Sequence, residues 1–159
     1  MEGKGRITGH TGLLALIGSP VGHSGSPAMY NYSFEKLGLD YAYVAFDIKV
    51  EEVKAALDAM RLFHMRGCNV TMPCKTEAAK YMDELSPAAR IIGAVNTIVN
   101  EDGKLIGHMT DGEGFVGNLR DHGIEIKGKK ITVAGGGGAA TAIQVQCALG
   151  GAREIRIFN

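Results

Sequence analysis

The stretch "KKITVAGGGG" at residues 129–138 joins an apolar, β-branched run to a cluster of four glycines. The run predicts a strand, and the apolar segment 138–149 after it predicts a helix. A second β-forming run, "EIRIFN" at 154–159, follows that helix. Strand, glycine turn, helix and strand in this order predict the first βαβ unit of a dinucleotide-binding domain of the Rossmann type.

The glycine turn has the spacing G-x-G-x-x-A that is typical of phosphate binding at a helix start. Gly135 permits a tight turn, and Gly137 lets the backbone approach a pyrophosphate that the free amide groups of the helix would bind. The predicted cofactor-binding residues of the turn are Gly135, Gly136, Gly137, Gly138, Ala139 and Ala140. A glycine-rich turn in an ordinary α/β protein is the alternative.

An acidic residue about 20 positions after the turn would favour NAD, because it would bind the ribose 2′-hydroxyl. No acid stands between Ile155 and Asn159, so the sequence does not support NAD by this criterion. We expect the loop that selects the cofactor to begin at or after Asn159.

Upstream of this unit, β-forming runs alternate with segments of helical spacing. The predicted strands are 13–18, 41–48, 67–72, 94–99 and 104–110, and the predicted helices are 26–39, 51–64, 73–82 and 112–122. The turn at 100–103 favours a hairpin, and Ser26 with Pro27 favours a capped start for the first helix. The fold class is therefore α/β. A first domain at 1–109 has a mostly parallel sheet, and residues 110–159 form a connecting helix and the truncated start of a Rossmann domain.

The second domain supplies only two strands and one helix, which cannot cover their own apolar faces. We therefore expect the chain to be a fragment or to complete itself against a partner. Uncovered apolar surface favours self-association, so a homodimer is one expected form.

Composition argues against several classes of protein. The 17 basic and 17 acidic residues give a formal net charge of zero, which is unlike a nucleic-acid binder. No window approaches the roughly 20 apolar residues of a membrane helix, and "MEGKGRITGHTG" lacks the apolar core of a signal peptide. Cys68, Cys74 and Cys147 form no CxxC pair and predict reduced thiols in a cytoplasmic protein. The spacing of His23 and His108 suggests no metal site.

Polar residues follow the predicted strands of the first domain, at the ends where open α/β sheets bind ligands. They are Ser24, Ser26, Thr71, Lys75, Asn96, Thr97, Thr110 and Asp111. Taken singly, Ser26 is explained by a helix cap, and Thr110 with Glu113 by a capping box. Asn96 would then be a buried strand amide and Thr71 an ordinary strand residue.

The motif "NVTMPCK" places Lys75 at the third position of the predicted helix 73–82. The partial positive charge of a helix start disfavours an ammonium group there. A lysine in such a place, beside a carboxylate such as Asp111, is suited to proton transfer. We therefore predict that these two residues act together.

Five motifs in this chain resemble, in order and spacing, those of the shikimate dehydrogenase family. They are "HSGSP" at 23–27, "NVTMPCK" at 69–75, "GAVNT" at 93–97, "TDGEG" at 110–114 and "GGGGAA" at 135–140. The resemblance extends over about residues 12–159. The segments "SPAAR", "GAVNTIVN" and "EIRIFN" are most similar to the quinate/shikimate branch of the family.

The resemblance implies an oxidoreductase that interconverts 3-dehydroshikimate and shikimate with NADP; the quinate branch also uses NAD. It implies that the serines of "HSGSP" bind the substrate carboxylate and that other polar side chains bind its ring hydroxyls. The implied substrate-binding residues are Ser24, Ser26, Thr71, Lys75, Asn96 and Asp111. Lys75 and Asp111 would form the catalytic pair. The alternatives are a non-catalytic protein or subunit that binds shikimate-like hydroxy acids, and a structural domain with a vestigial site.

Overall fold

A computed structural model describes residues 7–159, which form eight strands and six α-helices. The strands are β1 (Gly12–Gly18), β2 (Tyr41–Asp47), β3 (Gly67–Val70), β4 (Glu84–Leu85), β5 (Thr97–Glu101), β6 (Lys104–His108), β7 (Lys130–Ala134) and β8 (Glu154–Phe158). The helices are α1 (Ser26–Leu37), α2 (Val53–Leu62), α3 (Lys75–Ala79), α4 (Pro87–Ile92), α5 (Asp111–Asp121) and α6 (Gly138–Leu149). Residues 1–6, which belong to the segment predicted to lack a signal peptide, lie outside the described residues.

Six of the strands form one sheet in the order β2-β1-β3-β5-β6-β4. The pairs β1–β2, β1–β3 and β4–β6 are parallel, whereas β5 pairs antiparallel with both β3 and β6. The predicted α/β class with a mostly parallel sheet is confirmed. The predicted hairpin is also confirmed, with Asp102 and Gly103 both at positive φ in its two-residue turn.

This topology brings several chain segments to the same end of the strands in the large sheet. The carboxyl ends of β1, β2, β3 and β6 and the amino end of β5 lie at the same edge, called here the carboxyl edge. The loops that carry the predicted substrate residues all start or end there. The edge therefore positions the candidate site.

One face of the large sheet packs against α2. Val53, Leu57 and Met60 lie on one side of this helix and are buried in the same cluster as Ala15 and Ile17 of β1. Their spacing of three and four residues puts them on a single helical stripe, within the helix predicted at 51–64.

The opposite face packs against α1. Leu14 and Leu16 of β1 lie in a second cluster with Tyr30, Phe34 and Tyr43. The Tyr30 and Tyr43 rings stack with centroids 4.4 Å apart. Residues of β1 thus alternate between the two clusters, as the period of a strand requires.

The other two strands form a separate sheet. β7 and β8 pair in parallel, and α6 connects them, so the predicted βαβ unit is present. α6 packs against α5 and also contacts α4, so the small unit is held to the large one through helices.

Two elements between α3 and β5 were missing from the sequence prediction. β4 has only two residues, too few to show a period. The start of α4 had a recognisable pattern: Ser86 accepts a hydrogen bond from the Ala89 amide, Pro87 begins the helix, and Gly93 ends it at positive φ.

The prediction of helix 73–82 was wrong in its bounds. The Cys74 amide donates to the Thr71 carbonyl, so a turn precedes the helix, and α3 begins at Lys75. Lys75 is therefore the first helical residue and not the third. The predicted strand 94–99 was also displaced, because β5 begins only at Thr97 and ends at Glu101, which leaves Asn96 in the preceding turn.

Candidate active site

Lys75 and Asp111 meet at the carboxyl edge although they are 36 residues apart in sequence. Lys75 Nζ lies 2.8 Å from Asp111 Oδ2, and the two side chains are 27% and 40% exposed. Each residue is the first of its helix, α3 and α5 respectively. A carboxylate is favoured at a helix start, and its contact offsets the unfavourable position of the ammonium.

Asn96 holds the second oxygen of this carboxylate. Its Nδ2 donates to Asp111 Oδ1 at 2.6 Å, while its Oδ1 accepts from the Thr110 amide at 3.0 Å. A backbone N–H can only donate, so it turns the amide oxygen of Asn96 towards Thr110 and the amide nitrogen towards Asp111. Asp111 is thus bonded on both oxygens.

The capping box predicted for Thr110 is not formed. Thr110 is the residue before α5, but its side chain makes no capping bond. Its hydroxyl instead bonds to the Asn96 side chain, with Asn96 Nδ2 3.0 Å away. Thr110 therefore belongs to the polar network of the site.

Backbone hydrogen bonds hold the loops of this network together. The Val95 amide donates to the Lys75 carbonyl at 3.0 Å, and the Asn96 amide donates to the His108 carbonyl at 2.9 Å. The Asn96 carbonyl accepts from the Val70 amide at 2.8 Å. The segments that carry the lysine, asparagine and aspartate are thereby fixed to one another.

Thr71 follows β3 directly and is partly buried. Its amide donates to the Ile17 carbonyl at 2.9 Å, and the neighbouring Met72 carbonyl accepts from Ser19 at 3.0 Å. These bonds join the loop after β1 to the loop after β3. Thr71 therefore lies at the carboxyl edge, as predicted.

Ser24 and Ser26 lie beside each other after β1, and both are partly buried. Ser24 Oγ accepts from the Ser26 amide at 3.2 Å. The predicted cap at Ser26 was wrong, because Gly25 precedes α1 and Ser26 is its first residue, without a capping bond. Among the described residues no hydrogen bond joins either hydroxyl to Lys75, so the two groups meet only if a ligand spans them.

A partly buried polar pair within the sheet was missed by sequence reasoning. Tyr43 Oη donates to Asn69 Oδ1 at 2.8 Å, and Asn69 Nδ2 donates to Thr97 Oγ1 at 3.2 Å. Burial, with Tyr30 and Cys68 nearby, raises the pKa of Tyr43, so the phenol stays protonated and donates. An asparagine within the β-forming run "GCNV" was the available sign.

Two large cavities lie on the faces of the sheet. One of about 330 Å³ opens on the α1 side and includes Tyr43, Asn69 and Thr97 in its lining. The other, of about 270 Å³, is apolar and lies beside α2. Neither is lined by Lys75 or Asp111, whose side chains lie instead at the open carboxyl edge.

The glycine turn lies at the carboxyl ends of β7 and β8. Gly135 has φ +107°, a conformation that favours glycine, and its amide donates to the Phe158 carbonyl at 2.7 Å. A Cβ built on Gly136 would lie 3.2 Å from the Asn159 side chain, so the second glycine of the turn and Asn159 are neighbours.

The turn fits a phosphate group. Gly137 precedes α6 without any side-chain cap, and a Cβ on Gly137 or Gly138 would meet no heavy atom within 4 Å. Gly138, Ala139 and Ala140 form the first turn of α6, where backbone amides lack helical partners. The space and the donors that a pyrophosphate needs are therefore both present.

The cysteines and the other possible metal ligands of residues 7–159 give less support for a functional site. Cys68, Cys74 and Cys147 are buried free thiols, and burial raises the pKa of each, that of Cys68 to about 12. The described residues contain no cluster of His, Cys, Asp or Glu that could hold a metal ion. None of their helices has the length and apolar character needed to cross a bilayer.

The fold and the edge site define an α/β protein in which a lysine–carboxylate pair lies next to a Rossmann-type βαβ unit. The family model described as the shikimate dehydrogenase substrate binding domain matches residues 16–98. The chain belongs to the shikimate dehydrogenase family, and the resemblance noted from its motifs is confirmed.

Similar proteins include shikimate dehydrogenase (NADP(+)) of Listeria monocytogenes serotype 4b (strain F2365), which is 55% identical over 154 residues. The protein of that name from Streptococcus uberis (strain ATCC BAA-854 / 0140J) is 54% identical over 156 residues. Each match covers 97% of this chain and 53% of the relative, so the chain spans about half the length of the curated relatives it matches.

A solved structure shows the same fold. The 1.45 Å crystal structure of shikimate 5-dehydrogenase from Listeria monocytogenes in complex with shikimate and NAD is 55% identical, with a TM-score of 0.94. The likeness covers 97% of this chain and 53% of that one.

Proposed function

We propose that this chain forms the substrate site and the first cofactor-binding unit of an NADP-dependent oxidoreductase that interconverts 3-dehydroshikimate and shikimate. Residues 1–109 are the substrate-binding part, and 110–159 are the connecting helix and the start of the dinucleotide-binding part. The observation that carries the proposal is the 2.8 Å contact between Lys75 Nζ and Asp111 Oδ2 at the carboxyl edge. Family membership and the fit of the glycine turn to phosphate support it.

Lys75 handles the proton in this reaction. When bound, the nicotinamide cofactor supplies the hydride for reduction and accepts it for oxidation. In reduction, the Lys75 ammonium donates a proton to the substrate oxygen as negative charge develops there, and in oxidation the neutral amine takes it back. Asp111 keeps the amine in place and stabilises its charged form.

The remaining polar residues orient the substrate. Ser24 and Ser26 supply hydroxyl donors for the carboxylate, and they are close enough to act on one group. Thr71, Asn96 and Asp111 lie along the same edge and supply donors and acceptors for ring hydroxyls. Backbone hydrogen bonds hold the loops that carry these residues in place, which lowers the entropic cost of orienting the substrate.

The cofactor binds with its pyrophosphate on the turn 135–140, and the loop beginning at Asn159 selects between NADP and NAD. NADP is the choice that the names of the curated relatives favour, and NAD is the nucleotide present in the Listeria crystal structure. Shikimate is the favoured substrate, and quinate is the alternative. A homodimer and a cytoplasmic location stay predictions.

Replacing Lys75 tests the proposal directly. We expect Lys75→Met to lower kcat for NADP+ reduction by shikimate by about 10²–10⁴-fold, with little change in shikimate affinity. The matched control is Lys80→Met, because Lys80 is an exposed lysine just after α3 whose ion pair within residues 7–159 is with the neighbouring Glu77. Normal turnover in the Lys75 variant would remove this residue from the mechanism.

Calorimetric titration with shikimate and with NADP+ separates catalysis from binding alone. Binding of both ligands is expected. Binding of shikimate without NADP+ would favour a non-catalytic binding protein or subunit. Binding of neither would indicate a structural domain with a vestigial site.

A further inference from the structure

Helices α5 and α6 approach each other closely at Gly112, the residue directly after Asp111. Gly112 is buried, and a Cβ built on it would overlap the Ala142 carbonyl oxygen and lie 2.7 Å from Gln146 Cβ. The obstacle is the backbone of α6, which cannot turn aside as a flexible side chain can. Only glycine permits this approach of the two helices.

The same two helices carry the two halves of the proposed site. α5 begins at Asp111, and α6 begins at Gly138 of the glycine turn. Ala142 lies four residues after that start, about 6 Å along the helix axis. The close contact is therefore within about one turn of both functional groups.

α6 is also buried at this contact and again further along the helix. Ala142 is 1% exposed and belongs to the main core of the large sheet. Cys147, one and a half turns later, is buried with Val116 of α5 and Ile126. The small unit is thus anchored at two positions of α6.

We propose that Gly112 is a positioning residue that fixes the distance between the Asp111 carboxylate and the phosphate-binding turn. Its missing side chain sets the separation of α5 and α6, and both groups are attached rigidly to these helices. A methyl group at this position moves the helices apart. A displacement of about 1 Å between a catalytic group and its reaction partner costs on the order of 100-fold in rate. The functional part of this proposal rests on the proposed function, whereas its structural part does not.

Gly112→Ala and Gly114→Ala form a matched pair. Both replace a glycine within α5 by alanine, so both gain the same kind of helix propensity. A Cβ at Gly114 would meet no heavy atom within 4 Å, so the control changes propensity without touching α6. Any difference in hydrogen exchange or kinetics between the two variants therefore comes from the contact of position 112 with α6.

Hydrogen exchange measured by mass spectrometry tests the structural part without any ligand. We expect Gly112→Ala to speed exchange at least tenfold across β7, α6 and β8, and to leave β1 and β3 unchanged. Gly114→Ala should change neither region. Equal exchange in the two variants, or equal acceleration in both sheets, would overturn the proposal.

Should Gly112→Ala fail to fold, hydrogen exchange of the unaltered chain in low urea tests the structural part instead. Amides of α5 and of β7–β8 are expected to respond to urea with the same slope, because one opening event exposes both. Different slopes would show that α5 and the small unit open separately, which contradicts a rigid contact.

Kinetics test the functional part. With shikimate and NADP+, Gly112→Ala is expected to lower kcat about 100-fold and to change each KM less than threefold, whereas Gly114→Ala keeps both. A raised KM with normal kcat would refute positioning. Absence of turnover in the unaltered chain would count against the proposed function, and the exchange result would still decide the structural part.

Discussion

The large sheet and the small sheet differ in how completely they bury their apolar residues. β1 and β3 are buried over most of their length, and Leu105 of β6 is fully buried. In β8, by contrast, Ile157 is 52% exposed and Phe158 is more exposed still. The central strands of the large sheet are buried because helices cover both faces of that sheet. β7 and β8 have less cover and depend on contacts made through α6 and α5.

The five tyrosines lie between residues 30 and 81, and the chain has no tryptophan. Tyrosine fluorescence during urea unfolding therefore follows the large sheet, and far-UV circular dichroism follows both. The two signals together measure each region.

The largest effect is expected for Leu105→Ala. This side chain is fully buried in the main core, so its truncation removes apolar contacts and leaves a cavity. We expect a loss of about 3 kcal/mol in the free energy of unfolding, measured by urea titration. A loss below about 1 kcal/mol would show that the large sheet is loosely packed.

Asn100→Ala should have the next largest effect, about 2 kcal/mol. Asn100 is buried, donates to the Met65 carbonyl at 2.8 Å and accepts from the Gly103 amide at 2.8 Å, so its loss leaves both groups without a partner. Asn118→Ala, an exposed change on α5, is the control and should stay within about 0.5 kcal/mol.

Asp83→Asn should cost about 1 kcal/mol at neutral pH, a value reduced by the partial exposure of the carboxylate. Hydrogen bonds from the Leu105 amide, and then from Arg61, lower the pKa of Asp83. Because the folded-state pKa is lowered, the stabilisation is complete above the unfolded pKa, near 3.8, and is lost as pH falls through the folded pKa.

The pH dependence separates this contribution from packing. The difference between wild type and Asp83→Asn should be constant from about pH 5 to 7 and shrink below about pH 4. Glu84→Gln is the control, because the ion pair of Glu84 in the described part of the chain is with the exposed Lys104, so this change should alter stability less. A difference that persists at pH 2 would mean that the charge of Asp83 does not matter.

The smallest effect is expected for Ile157→Ser in the small sheet, within about 0.5 kcal/mol. Its side chain is half exposed, so little apolar area returns to water on unfolding. Circular dichroism is the measurement, because no tyrosine lies in that region. A cost comparable with that of Leu105→Ala would remove the contrast between the two sheets.

Several parts of the site could be predicted from local patterns. β-forming runs ending in polar residues indicated that Lys75 and Asp111 would share one edge, and their 2.8 Å contact agrees with that prediction. The glycine spacing indicated a turn before α6, and Gly135 has the predicted type of conformation. Each of these inferences needed only a short segment and the general geometry of parallel sheets.

Other parts depended on residues far apart in the chain. The cap at Ser26 and the capping box at Thr110 were reasonable local predictions, but the Thr110 hydroxyl bonds to Asn96 instead. The Tyr43–Asn69 pair was missed because the two residues belong to β2 and β3, which are not even neighbours in the sheet. Local rules assign a polar side chain its nearest backbone partner and cannot include a competitor from another strand.

The sequence by itself determined the α/β class, the apolar run that forms the buried strand β1, the helical spacing of α2, and the glycines that allow a phosphate-binding turn. These properties follow from periods and backbone preferences within a few residues. Only the tertiary structure decided that Asn96 bridges Thr110 and Asp111, and that Gly112 contacts the backbone of α6. Such contacts depend on strand order and on how closely two helices approach, and both are set by packing of the whole chain.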